Sequence, residues 1–235
     1  MRSSSPNADR ALEWIRDYGD RDGDGFVEYG RPNEHGLINQ GWKDSWDGIN
    51  FADGTIAEPP LALCEVQAYV HGAYMARAWM AYDDGDLTLA AELRERADRL
   101  KKKFNEEFWL PDKGYYAVAL DKDKRPVDAC ASNMGGTVCG LGWWMKTRHP
   151  SWRSDSCPPE MFSGWGGVRT LASDMGAYNP ASYHNGSVWP HDNALIAAGG
   201  LLRYGYVEEA QRIATALLEA AEFSGGRLPR TVLRF

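Results

Sequence analysis

Five stretches of the chain repeat their apolar residues at helical spacing, and one alternates. Ala8–Tyr18 (ADRALEWIRDY) sets Leu12, Trp14 and Ile15 at helical intervals and stops at Gly19 before an acidic turn, which predicts a helix and then a loop. From Pro59 to Tyr82, Leu61, Leu63, Val66, Tyr69, Val70, Ala73, Met75, Ala76 and Trp79 fall around most of the circumference. That is the pattern of a helix buried between neighbours. Leu87–Phe108 is amphipathic instead, with Leu89, Leu93, Ala97, Leu100 and Phe104 on one stripe and charges opposite. Gly114–Val127 (GYYAVALDKDKRPV) alternates well enough for a short hairpin, and helices are expected again over Val188–Tyr204 and Val207–Phe223. Buried helices alternating with amphipathic ones imply two layers, because each amphipathic helix must cover a face of its neighbour. The expected class is all-α, a partial α/α barrel in a single domain over 1–235. A four-helix arrangement without a cleft fits the periodicity equally well, so the loops have to decide.

Composition narrows the partners. The chain has 235 residues, with 33 acidic side chains against 26 basic and a net charge of −7, so it offers no electrostatic footprint for nucleic acid or an anionic membrane. No apolar run approaches the roughly 20 residues of a membrane span, and Met1-Arg-Ser-Ser-Ser leads into polar sequence without an apolar leader core. The expected location is the cytoplasm. Cys64, Cys130, Cys139 and Cys157 are too widely spaced for a metal motif or a disulfide framework, and read as free thiols. Ten tryptophans and eleven tyrosines suit stacking on sugar rings, although buried aromatics of a large helical fold explain the count at least as well.

Three loops carry the candidate chemistry. Asn39–Gly48 (NQGWKDSWDG) interleaves Asp44 and Asp47 with Trp42 and Trp46, and the buried helix expected to open at Pro59 carries Glu65 and Gln67. Glycoside hydrolysis needs a carboxylic acid beside the leaving oxygen, a second carboxylate opposite and rings to stack the sugar; a solvated acidic turn anchored by tryptophans is the plainer reading. Tyr178–Asn193 (YNPASYHNGSVWPHDN) gathers Tyr183, His184, Asn185, Trp189, His191 and Asp192 at a helix entrance, which suits hydroxyl recognition or a helix cap. In DRDGDGFVEY, Asp20, Asp22, Asp24, Gly25 and Glu28 fall on the first, third, fifth, sixth and ninth positions of a calcium loop, but Arg31 takes the twelfth. A tight acidic turn is the preferred reading there, with a weak cation site on Asp20, Asp22 and Asp24 as the minority one. No cofactor is expected.

NQGWKDSWDGI, ALCEVQAYVHGAY, SGWGGVRTLA and YHNGSVWPHDN together resemble the bacterial amylo-α-1,6-glucosidase or glycogen-debranching-like glycoside hydrolases, over most of the chain. That group is similar to the inverting six-hairpin α/α-barrel glycosidases that include trehalases and mannosylglycerate hydrolases. The resemblance implies an α-glucoside substrate, places the general acid on Asp44 with Asp47 as backup, and implies that Trp42, Trp46, Glu65, Gln67, Tyr183, His184, Asn185, Trp189 and Asp192 contact the sugar. Asn185 stands where the relatives' YWRGPVW motif has arginine. It also implies a preceding β-rich domain and further closing helices, so Met1 is expected to lie inside a longer gene. Asp44, Trp46, Glu65, Tyr183, His184 and Trp189 should then share one cleft. Separate faces for Asp44 and Trp189 would instead favour a helical scaffold.

The resemblance also exposes two departures. The family's general base is a glutamate in a segment reading approximately GGRLPELFCGF, where this chain reads GGRLPRTVLRF. The codons CCC-CGA-ACT-GTT-CTG-CGG-TTT encode PRTVLRF; with one C removed they encode PELFCG. Residues 136–158 pack tryptophans and cysteines among Arg, Ser and Pro without any period. A codon choice exists whose shifted frame gives an amphipathic helix there. Two frameshifts, over 136–158 and 230–235, are therefore expected, with no regular helix over 137–157 and an impaired or purely carbohydrate-binding product. The doubled glycines Gly166-Gly167 and Gly199-Gly200 read as insertions or as ordinary variation.

Overall fold

The computed structural model describes residues 5–133, 160–164 and 166–233. The expectation for 137–157 therefore lies outside the described residues. Helix α1 (Ser5–Trp14) runs into a π-helical turn over Ile15–Gly19. Helices α2 (Cys64–Asp83) and α3 (Leu87–Glu107) form a hairpin. Gly85, in the left-handed region at φ 83°, reverses the chain between them, and the Asp86 carboxylate caps α3 by accepting from Leu89 N–H at 3.0 Å. Helix α4 (Pro190–Ala194) widens into a π-helical turn over Leu195–Leu201 and tightens over Leu202–Tyr204; α5 (Val207–Phe223) packs back on it. Two helical hairpins flanked by long loops make a partial α/α barrel.

The helix expected from Pro59 begins at Cys64 instead. The prolines supply no N–H, and the backbone groups that follow are used elsewhere. Leu61 exchanges backbone hydrogen bonds of 2.9 and 3.1 Å with Tyr29. Strand β1 (Ala62–Leu63) pairs antiparallel with β4 (Ala119–Leu120). The alternating stretch also divides in two. Strand β3 (Tyr115–Tyr116) pairs with β2 (Trp109–Leu110), whereas the hairpin proper spans 118–127, with Val118 N–H donating to Val127 at 2.9 Å and Val127 N–H donating to Ala119 at 2.8 Å.

The stripe of α3 buries Leu93, Ala97, Leu100 and Phe104, as its period predicts, and Phe104 stacks on Phe108. Leu100 and Phe104 share a core with Phe26, Val70, Phe108 and Tyr116, whereas Leu93 packs with Leu12 and Ala78. A second core joins Ile49, Leu61 and Leu63 to Val118, Val127 and Leu171, and a third packs Met161 and Val168 under Ile196, Leu201 and Ile213. Cys64 is a buried free thiol, and Cys130 is buried as well. Among the described residues no helix is long and apolar enough to cross a membrane.

Candidate active site

Two loops meet above the first residues of α2 and α4. The 39–50 loop is shaped by its own backbone acceptors. Asn39, buried, donates to the carbonyls of Ser45 at 2.7 Å and Trp46 at 3.3 Å, and Asn50 donates to that of Asp47 at 3.0 Å. Gly41 lets the loop approach α2: a Cβ there would come within 2.3 Å of the Leu63 side chain and 2.9 Å of Glu65 Oε1. In the 178–193 loop the Tyr183 carbonyl accepts from Ser187 Oγ at 2.7 Å and from the Trp189 indole at 2.8 Å. Asn193 pins the loop to the neighbouring segment, donating to Val168 O at 2.9 Å and accepting from Val168 N–H at 2.7 Å.

The loops join through His184. Its Nδ1 lies 2.7 Å from Ser45 Oγ, 3.4 Å from Ser45 N and 4.0 Å from Asp44 Oδ1. Burial pushes the imidazole down to about 4, with the Lys43 charge adding to the effect, so it is neutral at pH 7. Because the Ser45 N–H donates to Nδ1, the ring proton belongs on Nε2, which has no hydrogen-bond partner among the described residues. His184 stacks on Trp189 with centroids 5.2 Å apart, Tyr183 meets Trp189 edge-on at 4.7 Å, and Trp42 meets both His184 and Trp189 at 5.5 and 5.7 Å. A wall of rings thus faces Asp44, whose side chain is 55% exposed beside a His184 that is 1% exposed.

The structure brings Trp42, Asp44, Tyr183, His184 and Trp189 together, and Trp46 stands exposed on the same loop. Other expected contacts are engaged differently. Gln67 clamps the 26–28 segment, accepting from Val27 N–H at 2.8 Å and donating to Val27 O at 2.7 Å, so its amide is committed to the backbone. Asn185 is buried and fastens the two loops, donating to Asp47 O at 3.1 Å and accepting from Asn50 at 3.2 Å. Asp47 contributes this carbonyl, and its side chain is half-buried. Glu65 and Asp192 lie beneath the wall; burial pushes both carboxyls above the ordinary range, and Asn133 donates to Glu65 at 3.3 Å.

Sequence reasoning overlooked Lys43, Ser45, Asn133 and Arg230. Lys43 lies between Trp42 and Asp44 in a polar loop and reads as solvated, yet it is 1% exposed. Arg230 sets its guanidinium carbon 5.6 Å from the Tyr183 ring centre and 5.5 Å from that of Trp189.

The 20–28 loop lies apart from these groups. Asp20 accepts from Gly23 and Gly25 N–H at 2.8 and 2.9 Å, and Asp24 from Phe26 N–H at 2.8 Å, the turns its spacing predicts. Oxygens of Asp20, Asp22 and Glu28 converge within 4.8 Å of one another. The cation beside them is Lys124, its ammonium 2.8 Å from both Asp22 and Asp24 and bonded to Glu28. Burial opposes this charge, but the hydrogen bonds to Asp22, Asp24 and Glu28 outweigh it and push the lysine up.

Residues 2–227 match the family described as the mannosylglycerate hydrolase MGH1-like glycoside hydrolase domain. No curated protein matches the sequence. Among solved structures, a sialidase is similar over 92% of this chain and 20% of its own, with 14% identity and a TM-score of 0.69. The neutral trehalase of Saccharomyces cerevisiae is similar over 81% of this chain and 37% of its own, with 15% identity and a TM-score of 0.61. A mannosylglycerate hydrolase from Thermus thermophilus, in complex with glucose, is similar over 69% of this chain and 40% of its own, with 20% identity and a TM-score of 0.52. At these identities the likeness is one of fold. The chain spans less than half the length of each.

Proposed function

The chain belongs to the mannosylglycerate hydrolase MGH1-like glycoside hydrolase domain family, and on that premise we propose that it is the acid-bearing, sugar-binding part of an inverting α-glucosidase. Asp44 protonates the leaving oxygen while the ring wall of Trp42, Tyr183 and Trp189 stacks the sugar. The observation that carries this reading is an exposed carboxylate, Asp44 Oδ1, 4.0 Å from a neutral His184 that itself stacks on Trp189. Inversion needs a second carboxylate roughly 6.5–9.5 Å from the acid, to activate water on the opposite face. Where the resemblance implies that glutamate, this chain has Arg230, lying against the ring wall. A cation there cannot accept the proton of water, so the chain as it stands binds an α-glucoside without turning it over. Glycogen branches, maltooligosaccharides, trehalose and glucosylglycerate are all α-glucosides that fit this reading. Resequencing the DNA across Pro229–Phe235 tests the one-base origin of Arg230.

The biochemical test is glucose release from maltotriose, trehalose and glucosylglycerate. The unaltered chain should release none above background while maltotriose quenches its tryptophan fluorescence. A frame-corrected, full-length version should release glucose with inverted anomeric configuration, and adding Asp44→Asn should remove about 10² to 10⁴-fold of that rate. Turnover by the unaltered chain would overturn the assignment of the base. No quenching by any of the three sugars would overturn the sugar site itself.

A further inference from the structure

Adjacent residues of the acid-bearing loop point opposite ways. The Asp44 side chain is 55% exposed, whereas Lys43 turns inward and donates to the Thr170 carbonyl at 2.6 Å. Thr170 is fixed in turn to the segment that carries the ring wall. Its N–H and its hydroxyl both donate to Ser187 O, at 2.9 and 3.0 Å, and the hydroxyl accepts from Gly186 N–H at 2.9 Å. Ser187 Oγ then donates to Tyr183 O and accepts from the Trp189 indole at 3.2 Å. A continuous run of hydrogen bonds leads from the residue before Asp44 to the rings. We propose that Lys43 is a positioning residue: its buried ammonium locks the Asp44 loop against the ring wall, and loss of that charge frees the loop without unfolding the chain. The proposal rests on the reading of Asp44 as the general acid.

An ammonium in such a place needs countercharge. Among the described residues, the titratable groups that face Lys43 are Asp192 on α4, Glu65 and Cys64 on α2, Cys130, and His184 in the wall. Burial pushes Lys43 down to about 8, against the pull of Asp192 and Glu65. The neutral amine keeps only an ordinary hydrogen bond, and charge-assisted bonds are about twice as strong. The sign for the whole fold is the opposite. Between about 8 and the ordinary 10.5 the unfolded chain holds a proton that the folded chain has released. This group therefore raises global stability as pH increases through that window, while the tether it makes weakens. The alkaline change is local.

Indole ¹⁵N spectra of the full chain from pH 6.5 to 10 read the loop directly. Wild-type Trp42 and Trp189 should titrate together with a midpoint near 8, with no fall in melting temperature over the same range. Lys43→Met should abolish that titration and weaken maltotriose binding at pH 7 about tenfold, whereas Lys43→Arg, always charged, should show no titration and bind within about threefold of wild type. Wild-type indoles flat between pH 7 and 9, or a Lys43→Met variant titrating as wild type does, would overturn the proposal. Should Lys43→Met fail to fold, the wild-type titration and Lys43→Arg decide. The expected indole titration with no maltotriose binding by any form supports the tether and overturns the proposed function instead.

Discussion

The loops at 20–28 and 39–48 are both acidic and both precede an apolar stretch, yet they deploy their charges in opposite ways. In the first, Asp22, Asp24 and Glu28 face one another and draw in a lysine from elsewhere in the chain, Lys124. In the second, the loop's own lysine is buried and its neighbouring aspartate is left exposed, beside a histidine that carries no charge at pH 7. A carboxylate that has captured its counterion is part of the architecture. One whose cation has been turned inward stays available for a substrate.

The sharpest way to break this contrast is Lys124→Met. It leaves Glu28, a nearly buried carboxylate, without its cation, and should cost ~3 kcal/mol, or on the order of 10 °C in melting temperature for a domain of this size. A drop of less than about 2 °C would mean that the 20–28 loop is held by its backbone turns alone. A smaller effect is expected from acid. His184 is neutral in the fold and ordinary when unfolded, so the unfolded chain binds the extra proton between pH 6.5 and about 4. Its contribution of ~2 kcal/mol should be lost as pH falls through that window. Urea titrations at pH 7 and pH 4.5 on wild type and Ser45→Ala measure it; equal losses without His184 titrating by NMR would assign the effect elsewhere. Asp44→Asn should do least, changing stability by under about 0.5 kcal/mol because the side chain is largely exposed. A larger loss in calorimetry would make Asp44 architectural and erase the distinction between the loops.

How far the sequence could be read follows the same division. The α3 stripe and the whole of α5 were legible because a period of 3.6 states which side is buried, and the structure places Ala210, Ile213, Ala216 and Ala220 inward accordingly. The start of α2 was not, because Leu61 and Leu63 satisfy both a helical face and a strand. Only the pairing with Tyr29 and Leu120, distant in sequence, decides between them. In the candidate site, Asp44, Trp42 and Trp189 were legible as residue types suited to sugars. Lys43 was not, since nothing local distinguishes a buried lysine from a solvated one; its partner Thr170 is 127 residues away. Gln67 misled for the same reason, its amide being taken by Val27, 40 residues earlier.

The wide turn over Leu195–Leu201 bears on how this chain tolerates change in length. An α-helix that gains one residue rotates everything beyond it by about 100°, since each turn holds 3.6 residues. Opening a single turn to i→i+5 bonding absorbs the added residue and restores the original phase on both sides. Gly199 and Gly200 lie within this turn, with Asp192 and Asn193 buried before it and Leu201 buried at its end. The helix that begins at Pro190 can therefore carry a one-residue insertion as a local swelling, leaving its first turn and its packing end in register.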